Sequence, residues 1–139
     1  MKLFPLHIVS QDRELVSTEV DSVTIPTSEG EITVLYRHIP LFARIKTGEL
    51  IYRHGSDQES VVVANGFVNV APSGEVIVLV DSGLLEREIS VERAEAAIKA
   101  AHETMQKTQD QRELLMAEAS LKQAMMEVKV AQKTRKARI

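Results

Sequence analysis

Cysteine is absent from the chain. No disulfide can staple it, and no thiolate can bind a metal or attack a substrate, which fits a reducing compartment. No run of eighteen apolar residues occurs, so no membrane-spanning helix is expected. The N-terminus, "MKLFPLHIVSQDRE", has one lysine and an early proline. It lacks the long apolar centre of a secretory signal. Aromatic residues make up only 4% of the chain and stand apart from one another. No stripe of rings alternates with basic residues, as base-stacking platforms require, so nucleic acid is not an expected partner.

The signatures of common chemistry are missing too. The six glycines are scattered, and none falls into a phosphate-cradling loop. No serine sits in a G-x-S-x-G elbow. His7, His38, His54 and His102 are not paired at metal-ligand spacing. Glu31 and His38 are a bare acid–base pair with no nucleophile or oxyanion donor beside them. The expectation is a chain with no catalytic residues and no metal site of its own.

What is present is an ordinary globular balance. Of 139 residues, 44% are hydrophobic and 27% charged, enough for one domain or one domain with an appendage. The charge is unevenly spread. Residues 121–139 carry Lys122, Lys129, Lys133, Arg135, Lys136 and Arg138 against Glu127, a net +5, whereas residues 1–120 carry −8. Two readings stand side by side. The basic end meets an acidic partner (nucleic acid, anionic lipid or an acidic protein segment), or it is a solvated helix end favoured by the dipole.

The first part reads as short strands rich in Val and Ile: "LHIVS", "VDSVTIP", "EITVLY", "ELIYRH", "SVVVANG", "GFVNVA" and "EVIVLVD". Turn signals separate them, and no helix-length segment intervenes, which predicts an antiparallel sandwich or barrel. Val76, Val78 and Val80 share one face of the last strand while Ile77 and Leu79 share the other, so that strand is expected to be central and covered on both sides. From Glu86 onward there is no glycine or proline, and strong helix formers dominate. Ser90 is the expected N-cap. Ala94, Ile98, Ala101 and Met105, then Leu114, Ala117, Leu121, Ala124, Val128 and Ala131, recur at threes and fours. The polar "QKTQDQ" between them is the expected turn. The fold class is thus an N-terminal antiparallel β-sandwich, residues 1–85, followed by a C-terminal antiparallel two-helix hairpin, residues 86–139. An alanine seam buries little area, so the hairpin is expected to be weakly held and able to detach or open.

The order of these features resembles the epsilon subunits of bacterial F-type ATP synthases, over essentially the whole chain. In "PTSEGEITVLYRHIPLFARIKTGEL", Gly30, Ile32, His38, Pro40, Leu41, Lys46 and Gly48 match the family pattern. "VVVANGFVNVAPSGEVIVLVD" is similar to its Gly-Gly-Phe strand pair, and "EISVERAEAA" to the start of its first C-terminal helix. Thr33, Tyr36-Arg37 and Asn65 depart from it, standing where the family has Gly, Pro-Gly and Gly. Thr33 and Arg37 bear on any backbone conformation there that needs positive φ.

The resemblance implies a ten-stranded sandwich that binds gamma and rests on the c-subunit ring, in the rotor that couples proton flow to ATP synthesis. It places Glu29, Gly30, Glu31 and His38 towards gamma and the c ring. It implies that the hairpin extends in many members and inhibits ATP hydrolysis, its basic second helix meeting an acidic motif on beta. Lys122, Lys129, Lys133, Arg135 and Lys136 are the candidates for that contact, among the alpha and beta subunits. Some members hold ATP at the folded hairpin. Of that motif Ile89, Arg93 and Ala94 remain, but Ser90 and Ala100 stand where two polar ligands belong. A helix start is expected there rather than a nucleotide site, and no cofactor is expected. The implied location is the cytoplasmic side of a bacterial plasma membrane, as a peripheral part of the complex. A structural adaptor of another assembly and a nucleotide sensor are the competing readings.

Overall fold

The computed structural model describes the backbone of residues 2–137 and the side chains of residues 2–133. The chain divides into a strand unit ending at Leu85 and a helical unit beginning at Glu86. The strand unit holds β1 (Phe4–Ser10), β2 (Glu14–Val20), β3 (Ser22–Thr27), β4 (Gly30–Leu35), β5 (Leu41–Ile45), β6 (Gly48–His54), β7 (Asp57–Val70) and β8 (Val76–Leu85). The helical unit holds a single 3-10 turn, Glu86–Glu88, then α1 (Val91–Lys107) and α2 (Gln111–Ala137).

Two long strands make the sandwich. The first half of β7, Asp57–Val63, pairs with β6, and its second half, Gly66–Val70, pairs with β5. β8 accompanies both halves in one unbroken register. Asn65 stands between the halves with φ 43°. One layer therefore runs β2, β1, the first half of β8, the second half of β7, then β5. The other runs β4, β3, β6, the first half of β7, then the second half of β8. The eight strands thus supply ten segments, five to a layer.

Inward residues alternate along β1 and the first half of β8, as a pleated strand with one covered face requires, whereas β3 and residues 60–64 of β7 are buried on both faces. Leu6, Ile8, Val68, Val70, Val76 and Val78 from one layer meet Val23, Ile25, Val34, Leu50, Val61 and Val63 from the other in one buried cluster. Each such side chain stabilises the fold by roughly 1.5–3 kcal/mol relative to exposure.

The expected sandwich and hairpin are both there, with four corrections. The sandwich is not wholly antiparallel: Leu6–Ser10 of β1 pairs in parallel with Val76–Val80 of β8. The rest of the unit joins them, which gives the long connection a parallel pair needs. "SVVVANG" and "GFVNVA" are one strand, because Asn65 bends β7 without ending it. β2 and β5 escaped the sequence reading. β2 carries adjacent buried Leu15 and Val16 where the register with β1 shifts, which spoils its alternation, and β5 spans only five residues. Finally, β8 is central, between β1 and β7, but Leu79 is 54% exposed, so its second face is not covered.

In the helical unit, Ser90 caps α1, its Oγ accepting from the Arg93 N–H at 3.3 Å. Ala94, Ala101, Ala117 and Ala124 are buried, and Ile98, Met105, Leu114, Leu121, Val128 and Ala131 are half-buried. The seam thus follows the periodicity except near its end, where Val130, between the expected Val128 and Ala131, is the buried residue. At the tip, Thr108 closes α1 through its N–H to the Thr104 carbonyl. Asp110 opens α2, its Oδ1 accepting from Arg112 N–H at 2.9 Å. Thr108 Oγ1 donates to Glu113 Oε2 at 2.6 Å, tying the turn to the second helix.

Candidate functional site

The candidate residues fall into four places. Glu29 is exposed in the turn between β3 and β4, and Gly30 follows it with φ 121°, a conformation that L side chains rarely adopt. Glu31 is exposed one step into β4. His38 lies beyond the far end of that strand, its Nδ1 2.7 Å from the Ile39 carbonyl oxygen. Five residue steps of about 3.3 Å separate Gly30 from Leu35, so the glutamates and the histidine are about 17 Å of strand apart. The strand keeps Glu31 and His38 apart, and no acid–base pair forms.

The β4–β5 loop is richer than its histidine. His38 N–H bonds to the Leu35 carbonyl at 3.1 Å and closes a turn whose third residue, Arg37, has φ 63°. Arg37 thus takes a left-handed conformation of the kind that suits glycine. Thr33, by contrast, lies in regular strand opposite Thr24, their hydroxyls 3.0 Å apart. Tyr36 is flanked by Lys2 Nζ and Arg37 Cζ, each 5.5 Å from its ring centre. Leu35 and Ile39 are both exposed, Ile39 by 75%.

A second apolar surface was missed in the sequence. Phe42 on β5 and Phe67 on β7 are exposed and stack at 5.3 Å with 19° between their planes. Phe67 faces Leu79 across the β7–β8 pair. Three large apolar side chains on the outer side of one layer form a surface of the kind that seats another protein. The signal was present in the alternation of "LFARI" and "GFVNV", but it needed the register to bring the two strands side by side.

On α2, Lys122, Lys129 and Lys133 are exposed. At 100° per residue they fall within about 40° of one another on the helix surface. Leu115, Met116 and Met125 are exposed on the same helix. The side chains of Arg135 and Lys136 lie outside the described residues. Glu127 is half-buried, and desolvation raises its pKa above the usual glutamate value against the opposing hydrogen bond from Gln123.

At the start of α1, Arg93 is exposed, Ile89 half-buried and Ala94 buried. The stretch is a capped helix start, and Ala94 presents no surface to a ligand. Among the described residues no group of three His, Cys, Asp or Glu is placed to hold a metal, and no helix is long and apolar enough to cross a membrane.

Known proteins share this arrangement. The family model for the β-sandwich domain of the ATP synthase delta/epsilon chain matches residues 3–86, and that for its long α-helix domain matches residues 87–132. An ATP synthase epsilon chain of Syntrophobacter fumaroxidans is 38% identical over 93% of this chain and 96% of its own. One of Dehalococcoides mccartyi is 40% identical over 98% of this chain and 97% of its own. A chain in the Euglena gracilis mitochondrial ATP synthase, solved as OSCP, F1 and c-ring, superposes with a TM-score of 0.76 at 25% identity, covering 89% of this chain and 78% of that one. The two-layer strand unit, the alanine-seamed hairpin and these relatives agree: the chain belongs to the ATP synthase epsilon-chain family, the non-catalytic stalk subunits of a membrane-associated complex.

Proposed function

We propose that the chain is a rotor subunit of a proton-driven ATP synthase, on the cytoplasmic face of a bacterial plasma membrane. The observation that carries this reading is the exposed Phe42–Phe67 stack with Leu79 beside it. Such a face loses contact with water when a partner covers it, and the gain is about 25 cal/mol for each Å² of apolar surface. The partner here is the gamma subunit. The two ends of β4, Glu29–Glu31 and Tyr36–Ile39, contact gamma and the polar loops of the c ring. The bacterial source of the similar epsilon chains supports the membrane assignment.

The helical unit acts as a brake on ATP hydrolysis. Its alanine seam buries little area, so the folded and extended arrangements lie close in free energy. The Lys122, Lys129 and Lys133 face of α2 meets an acidic segment of beta, and Leu115, Met116 and Met125 add apolar contact there. Ending the chain after Ser90 tests this within the assembled complex. Assembly is expected to persist and ATP hydrolysis to rise. Hydrolysis unchanged by the truncation refutes the brake and leaves the rotor assignment standing.

A further inference from the structure

The bend in the strand unit opens a groove. β7 turns at Asn65, and its neighbours pass the same level at Lys46 and Asp81. A cavity of about 450 Å³ lies there, lined by Ser28, Arg44, Lys46, Asn65, Phe67 and Asp81 among others. Pairing sets Arg44 opposite Phe67, and Phe67 opposite Leu79. The same register carried one step further sets Lys46 opposite Asn65, and Asn65 opposite Asp81. Strand alternation puts Phe42, Arg44 and Lys46 on one side of β5 and its continuation. The groove is therefore a polar row flanked by an apolar shoulder, the stacked Phe42 and Phe67 with Leu79.

Its charge is unlike its surroundings. Residues 2–85 hold eleven acids against six lysines and arginines, yet two of those cations stand two residues apart here. Both are exposed, and neither pairs with another described residue. The side chains of Ser28 and Asn65 are likewise unbonded among the described residues. Asp81 is met by Gln11 Nε2 at 3.5 Å.

We propose that this groove seats a carboxylate side chain on an acidic polypeptide segment of the partner that covers the outer face, with apolar neighbours of that carboxylate lying on Phe42, Phe67 and Leu79. The proposal rests on the reading of that face as a partner's seat and adds what the partner must carry. Arginine offers a planar pair of donors that matches a carboxylate, and Lys46 adds a second charge from the same side. Two features favour a peptide over a free polyanion. Asp81 on the far wall repels a doubly charged phosphate but accepts from backbone N–H groups flanking a single carboxylate. The apolar shoulder gains nothing from a small anion and much from an adjoining apolar side chain.

The test uses the full chain and an ATP synthase complex stripped of it, with association followed at about 50 mM and about 500 mM salt, where screening lengths differ severalfold. Arg44→Glu with Lys46→Glu is expected to bind about tenfold more weakly at low salt, chiefly through a slower on-rate, with the difference shrinking at high salt. Phe42→Ala is expected to weaken binding by a similar factor at both salts. Unchanged melting curves confirm that each variant folds. If the charge-reversed chain binds like the original while Phe42→Ala fails, the groove seats no carboxylate and the outer face remains the partner's seat. If both variants bind like the original, the reading of the face falls and the groove proposal with it. If millimolar inorganic phosphate or ATP shifts the amide resonances of Arg44 and Lys46 in the full chain alone, the groove is a small-anion site and the peptide is overturned.

Discussion

Gly66 lies against Leu79 on the neighbouring strand so closely that a Cβ at Gly66 would overlap the Leu79 carbonyl oxygen and crowd the Val80 Cα. The obstacle is backbone on both counts, and backbone in the middle of a ladder cannot step aside. Gly66→Ala is therefore expected to destabilise the strand unit by about 3 kcal/mol, the range of severe overpacking. Gly48 makes a milder comparison, since its Cβ would meet the Pro26 ring at 2.9 Å. Urea unfolding of both alanine variants checks the order: a Gly66→Ala loss no larger than that of Gly48→Ala contradicts it.

Arg37 holds φ 63° at a turn position that suits glycine. A left-handed conformation costs an ordinary residue roughly 1–2 kcal/mol, while glycine loses part of that advantage through its freer unfolded chain. Arg37→Gly is expected to raise stability by about 0.5–1 kcal/mol despite losing the cation over Tyr36. A lowered melting temperature would show that the Tyr36 contact outweighs the backbone strain.

Glu127 gives the helical unit a pH dependence. Burial raises its folded pKa above the ordinary value of 4.5, with the Gln123 hydrogen bond working the other way. A raised carboxyl pKa means that the folded state disfavours the ionised form. The cost is absent below the unfolded pKa, grows as pH rises through the window between the two values, and is complete above the folded one. Glu127→Gln is expected to stabilise the helices at neutral pH, the advantage vanishing towards about pH 4. Helical unfolding followed by circular dichroism at both pH values checks the sign.

Much of the architecture was legible in the residues. The absence of glycine and proline after Glu86, the Ser90 cap and the four alanines of the seam each act over one or two helical turns, so local spacing reveals them. The strand unit was harder because its information is non-local. Val76, Val78 and Val80 announce an inward face, but nothing in "EVIVLVD" says that β1 lies parallel beside it. Asn65 reads as a turn residue, yet its left-handed conformation only bends a strand that hydrogen bonds hold on both sides. The exposed face suffered most. Phe42 and Phe67 are separated by 24 residues, and only the β5–β7 register makes them neighbours. Glu31 and His38 are the opposite case: they are near in sequence, yet β4 holds them at opposite ends, so they form no acid–base pair.

Because β7 and β8 belong to both layers, the two sheets are not separate plates that can slide over one another. A sideways force applied to the outer face at Phe67 runs along the peptide bonds of β7 through Asn65 into Val61–Val63 of the opposite layer, without crossing an interface held by side-chain packing alone. The strand unit therefore resists shear with covalent stiffness at its corner, and yields first where chains only lie side by side, at the single-partner edges β2 and β4.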